Sequence, residues 1–122
     1  MKAKKKFGQN FLVDRYFISK IIKEINPKEG NNILEIGPGK GAITDPILKK
    51  INHISVVEID PDMIKILKHK ISTNNISIFA ENILSINDEF FKKFNKIIGN
   101  LPYYIATEII LKLTKIYSSS SE

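Results

Sequence analysis

The chain has no cysteine among its 122 residues. That absence excludes a disulfide framework and a thiolate metal site, and it fits a reducing compartment. Histidine is nearly as scarce. His53 and His69 stand far apart, without the spacing of metal ligands. No apolar run approaches the ~18 residues that a membrane span requires. The first residues are rich in lysine, yet no signal-like apolar core follows them, so the expectation is a cytoplasmic protein without membrane attachment. There is no internal repeat, and low complexity is confined to the last few residues.

Charged residues make up 26% and apolar residues 43%, an ordinary balance for one soluble domain. The formal net charge of +6 favours a polyanionic partner. Lys2, Lys4, Lys5 and Lys6 form one cluster, and Lys65, Lys68 and Lys70 a second. Both could neutralise phosphates with little sequence preference, although lysine-rich faces also serve solubility alone.

Apolar periodicity divides the chain into alternating elements. Asp14 is placed as a helix N-cap, followed by Phe17, Ile18, Ile21, Ile22 and Ile25 at helical spacing, with Asn26-Pro27 as the stop. Ile33 to Ile36 reads as a buried strand, residues 42–51 as a helix, and Ile54 to Ile59 as a second strand. Asp60-Pro61 opens another helix, with Met63, Ile64, Leu67 and Ile71 on one side. Ile76 to Phe79 is the third strand and Lys96 to Ile98 the fourth, separated by a cover bearing Phe90, Phe91 and Phe94. A last helix is expected from Thr107 to about Tyr117. Strands alternating with helices imply a doubly wound α/β fold with a parallel sheet.

In such folds ligands lie at the carboxyl ends of the strands. Gly37-Pro38-Gly39-Lys40-Gly41 leaves the first strand and enters a helix, where glycines let a backbone approach a ligand closely. Glu58 closes the second strand, placed to accept from both hydroxyls of a ribose. Both NAD and S-adenosylmethionine carry that diol. The loop lacks the G-x-G-x-x-G spacing of a pyrophosphate cradle, and Glu35 just before it would oppose a phosphate pair but not a sulfonium or ammonium. The methyl donor is favoured.

Gly99-Asn100-Leu101-Pro102-Tyr103 follows the fourth strand. A side-chain carbonyl from Asn100 and the backbone carbonyl of Leu101 can hold an exocyclic amine, Pro102 restricts the chain, and Tyr103 offers a face for an extruded base. The same residues could be no more than a strand end, a turn and a core aromatic.

Lys6-Phe7-Gly8-Gln9-Asn10-Phe11-Leu12, Glu35-Ile36-Gly37-Pro38-Gly39, Glu58-Ile59-Asp60 and Asn100-Leu101-Pro102-Tyr103 together resemble the ribosomal RNA adenine dimethyltransferases, in that family's order and spacing. The resemblance runs from about Lys6 to about Lys112 and is greatest to the bacterial small-subunit branch. It implies a Rossmann-like class I methyltransferase fold and dimethylation of neighbouring adenosines in small-subunit ribosomal RNA, with S-adenosylmethionine as cofactor. The immature small ribosomal subunit is the implied partner. Asn10, Leu12 and Gly37 would meet the methionine part of the cofactor, Glu58 its ribose and Asn82 its adenine. Asn100 would stand beside the methyl group and the target amine, with Leu101, Pro102 and Tyr103 completing the catalytic clamp. At Asn82 the family usually has aspartate, so charge assistance to adenine is missing here.

The expected organisation is a basic arm over residues 1–13, a partial methyltransferase domain over 14–117 and a serine-rich tail over 118–122. About four strands are expected, without the family's later strands and helical domain. Two alternatives follow: a truncated or split fragment that binds cofactor or RNA without catalysing, completed by a C-terminal fragment, or an NAD-dependent oxidoreductase.

Overall fold

The computed structural model describes residues 15–99. Asn10, Leu12, the stretch from Asn100 to Tyr103, the helix expected from Thr107 and the serine tail lie outside the described residues.

The first helix, α1, spans Arg15–Ile25. It stops where the sequence places the stop: Asn26 takes φ 50 and its N–H bonds to the Ile22 carbonyl at 2.8 Å. Asparagine tolerates this left-handed backbone better than most residues. Strand β1 is Ile33–Ile36, and the glycine loop follows it.

The helix expected over 42–51 is shorter than its apolar pattern suggests, because α2 covers only Thr44–Leu48. Gly41 holds φ 90 and keeps the chain in turns before Thr44. After Leu48 the N–H groups of Lys49 and Lys50 bond to Pro46 and Ile47 three residues back, which tightens the end. Strand β2 is Ile54–Val57, two residues shorter than expected. The chain turns away where the Glu58 carboxylate accepts the Asp60 N–H. Helix α3, Pro61–Lys70, has Asp60 as its N-cap, accepting from the Asp62 N–H at 2.9 Å.

Strand β3 is Ile76–Phe79. The aromatic cover resolves into a 3₁₀ turn, Ile83–Ser85, and the short helix α4, Asp88–Phe91, capped by Asn87. Strand β4 is Lys96–Gly99. All strands pair in parallel in the order β3-β2-β1-β4, so the order reverses between β1 and β4.

Strict alternation sends successive strand residues to opposite faces. Ile33, Ile54, Val56 and Ile76 join Ile22, Ile47 and Leu67 in one core beneath α1, α2 and α3. Leu34, Ile36 and Val57 join Ile83, Ile86, Phe91 and Phe94 in a second core under the cover. Each such side chain contributes about 1.5–3 kcal/mol on burial. The register of β4 is pinned at its start, where the Asn32 N–H donates to Asn95 Oδ1 at 2.6 Å and Lys96 Nζ donates to the Asn26 carbonyl at 2.7 Å. No helix among the described residues is long and apolar enough to cross a membrane.

Candidate cofactor site

The ends of β1, β2 and β3 converge on a cleft of about 150 Å³. Gly37, Glu58 and Asn82, three residues singled out from sequence, line it together. Ile36, Ile59 and Ile83 give it apolar walls. Ile59 is 63% exposed, which is unusual for an isoleucine and places it at the mouth. The sequence pattern had assigned Ile59 to a strand and Ile83 to no role. The aliphatic residue directly after Glu58 was the available signal for an apolar wall.

Glu58 is buried and doubly anchored. Its Oε1 accepts from the Gly39 N–H at 3.2 Å and its Oε2 from the Asp60 N–H at 3.0 Å. The carboxylate therefore joins the glycine loop to the start of α3, with lone pairs remaining for two hydroxyls. Gly37 holds φ 69, and its N–H donates to the Val57 carbonyl at 2.9 Å. Gly39 holds φ 59, and a Cβ there would meet nothing within 4 Å. Open space on that side of the loop lets a ligand lie directly against backbone. Gly41 is different: a Cβ would press on Leu67 Cδ2 at 3.2 Å, so its bareness serves packing against α3.

Lys70 braces the loop from α3. Its Nζ donates to the Lys40 carbonyl at 2.8 Å and pairs with Asp45 at 2.8 Å. Lys70, grouped by sequence with Lys65 and Lys68 as a phosphate-facing cation, is thus engaged by the protein itself.

Glu35 does not line the cleft. It is 2% exposed on the helix side of β1, where its Oε1 accepts from the Thr44 hydroxyl at the start of α2. Burial raises its pKa from 4.5 to about 7; the Thr44 bond lowers it, and the Asp45 and Glu58 carboxylates raise it further.

Asn82 caps the 3₁₀ turn, its Oδ1 accepting from the Leu84 N–H at 3.0 Å. A peptide N–H can only donate, so the amide orientation is determined: the oxygen faces the turn, and the NH₂ group remains for a ligand. The sequence had this oxygen facing adenine. Its engagement in the cap changes what the side chain can offer.

A parallel sheet in the order β3-β2-β1-β4, with a glycine loop after β1 and an anchored acid after β2, defines a Rossmann-like class I methyltransferase domain. The chain belongs to the ribosomal RNA adenine dimethylase family, which it matches over residues 1–122. It is 46% identical over 114 residues to the ribosomal RNA small subunit methyltransferase A of Mycoplasmopsis pulmonis, covering 93% of this chain and 44% of that relative. Among solved structures it is similar to a dimethyladenosine transferase from Plasmodium falciparum, with a TM-score of 0.73 and 28% identity over 84% of this chain and 37% of that one. It is also similar to the 23S rRNA methyltransferase ErmE, with a TM-score of 0.66 and 27% identity over 80% of this chain and 39% of that one. The chain spans less than half the length of the curated relatives it matches.

Proposed function

We propose that this chain carries the cofactor-binding part of an S-adenosylmethionine-dependent methyltransferase that dimethylates the exocyclic amines of neighbouring adenosines in small-subunit ribosomal RNA. The observation that carries the reading is the convergence of Gly37, Glu58 and Asn82 on one apolar-walled cleft at the strand ends. Glu58 would hold the ribose diol, Ile59 and Ile83 would flank the adenine, and the Gly37 backbone would face the methionine part. When bound, the cofactor supplies an electrophilic methyl group on sulfur. The organisation proposed around this cleft is a basic arm over residues 1–13, with Asn10 and Leu12 meeting the cofactor, and the clamp from Asn100 to Tyr103.

The adenine amine is a poor nucleophile because its lone pair is delocalised into the ring. In this reading Asn100 and Leu101 accept its hydrogens, and Tyr103 stacks on the base. Positioning and fixed dipoles then account for the acceleration without a general base. The test is calorimetric titration with S-adenosylmethionine and with NAD, followed by methyl transfer from labelled cofactor to unmodified small-subunit RNA. Saturable binding of the first alone, with label at adenosine, is expected. Tight NAD binding with no response to S-adenosylmethionine would overturn the reading.

A second reading is cofactor binding without turnover. In that case methyl transfer requires a complementing segment, and titration succeeds while labelling of RNA fails.

Asn82 gives a further prediction. Aspartate at this position can cap Leu84 with one oxygen and present the other, charged, to the adenine amine. Asn82→Asp is therefore expected to tighten S-adenosylmethionine binding about tenfold, equivalent to about 1.4 kcal/mol. Unchanged or weaker binding by calorimetry would show that the ligand presents no donor to the outward atom of this side chain.

A further inference from the structure

A concavity of about 790 Å³ lies away from the cofactor cleft, between α1 and the end of α2. Arg15 and Lys23 from α1 and Lys49 and Lys50 beyond α2 line it, and among the described residues no acidic one does. Ile18 and Ile22 contribute apolar wall. All four cations are exposed, and none forms an ion pair among the described residues. Some lysines elsewhere are engaged, Lys70 with Asp45, Lys92 with Glu89, Lys96 with Asn26 and Asn31, and Lys20 over the Tyr16 ring. Lys28, Lys40, Lys65 and Lys68 form no ion pair among the described residues, so it is the gathering of four cations in one concavity that sets the groove apart.

Four like charges gathered in one groove repel one another, and apolar walls focus their field outward. Solubility requires no such concavity. Arg15 and Lys23 are eight residues apart on one helix, about 12 Å along its axis, so the positive lining is extended. It suits a linear polyanion better than a single anion. Among the described residues no aromatic one lines the groove to stack a base, which favours contact through phosphates rather than base edges.

We propose that this groove holds the phosphodiester backbone of RNA, as a contact separate from the methyl-transfer site and one that positions the same substrate. The partner class rests on the methyltransferase reading; the groove shares no residue with the cofactor cleft.

The test uses the full chain and a short oligouridylate, with fluorescence anisotropy across a series of salt concentrations. Each lost phosphate contact on a single strand lowers the salt slope by about 0.7. The combined variant Arg15→Gln, Lys23→Gln, Lys49→Gln and Lys50→Gln is expected to lose at least about tenfold in affinity at low salt, with a slope shallower by roughly 2–3. A control carrying Lys65→Gln and Lys68→Gln is expected to change much less. Should the quadruple variant melt early, Arg15→Gln with Lys23→Gln alone is expected to give about half the slope change. Calorimetry with S-adenosylmethionine separates the two proposals. Intact cofactor binding with an unchanged salt slope overturns the groove alone, whereas loss of slope in a chain that ignores S-adenosylmethionine supports the groove and overturns the cofactor reading. Polyglutamate binding as tightly as oligouridylate, or wild-type chain that binds no RNA, also overturns it.

Discussion

Replacing Glu58 with alanine is expected to weaken S-adenosylmethionine binding by roughly 100-fold, or about 2.7 kcal/mol. Two effects add. The ribose diol loses a charged acceptor, and hydrogen bonds to charged groups contribute about 1.5–3 kcal/mol each. The Gly39 and Asp60 N–H groups also lose the oxygens that fix them at 3.2 and 3.0 Å, so the glycine loop and the start of α3 come apart. Glu58→Gln retains one carbonyl oxygen and the shape of the side chain, and is expected to lose about tenfold. Calorimetric titration gives both affinities, and thermal melting reads the loosening separately. Near-parental binding by Glu58→Ala would remove the diol role from this residue.

The second large effect concerns pH. Glu35 has a folded pKa of about 7 against 4.5, so between those values the folded state binds more protons than the unfolded one. Stability is then highest below about 4.5 and falls as pH rises through about 7, after which the loss is complete. At about 1.36 kcal/mol per unit, that loss amounts to about 3 kcal/mol. Glu35→Gln keeps an acceptor for Thr44 and removes the charge, so its stability should be nearly independent of this titration. Denaturant melts of both chains at pH 5 and pH 8 measure the difference, in which the remaining carboxylates cancel. The glutamine variant is expected to gain on the parent as pH rises. A constant difference would mean that Glu35 ionises in the fold as readily as in the open chain.

Much of this architecture was legible because buried parallel strands are written as short apolar runs. Ile33 to Ile36 and Ile76 to Phe79 begin and end where their patterns do. The misjudged boundaries have local causes that periodicity does not carry. The apolar pattern of residues 42–51 continues past Leu48, but the tightened Lys49 and Lys50 turns end α2 there. Val57 ends β2 because a side chain, Glu58, captures the N–H of Asp60. In the site, Gly37 and Glu58 were legible from their places at strand ends, and Asn82 through the family resemblance; all three line the cleft. The engagement of the Asn82 oxygen by Leu84 depends on how the turn folds, and the separation of Glu35 from the cleft depends on which face of β1 it occupies. The cationic groove was invisible in sequence, because Arg15 and Lys23 meet Lys49 and Lys50 only after α1 and α2 pack side by side. Asn100 to Tyr103, specific only together with the other three motifs, lies outside the described residues.

The strand order also sets a sequence of events. The cleft is built from β1, β2 and β3, whose ends meet over short loops; the Gly39–Glu58 bond closes 19 residues. Strand β4 joins β1 only across the whole intervening chain, as in the Asn32–Asn95 bond, which closes 63. Its extra loop-closure entropy is about 1 kcal/mol, and contacts of this range form late. The cleft after β1, β2 and β3 therefore takes shape before β4 docks. On the proposed reading, S-adenosylmethionine added during refolding should accelerate recovery by favouring chains in which this cleft has formed, a rate that stopped-flow fluorescence measures.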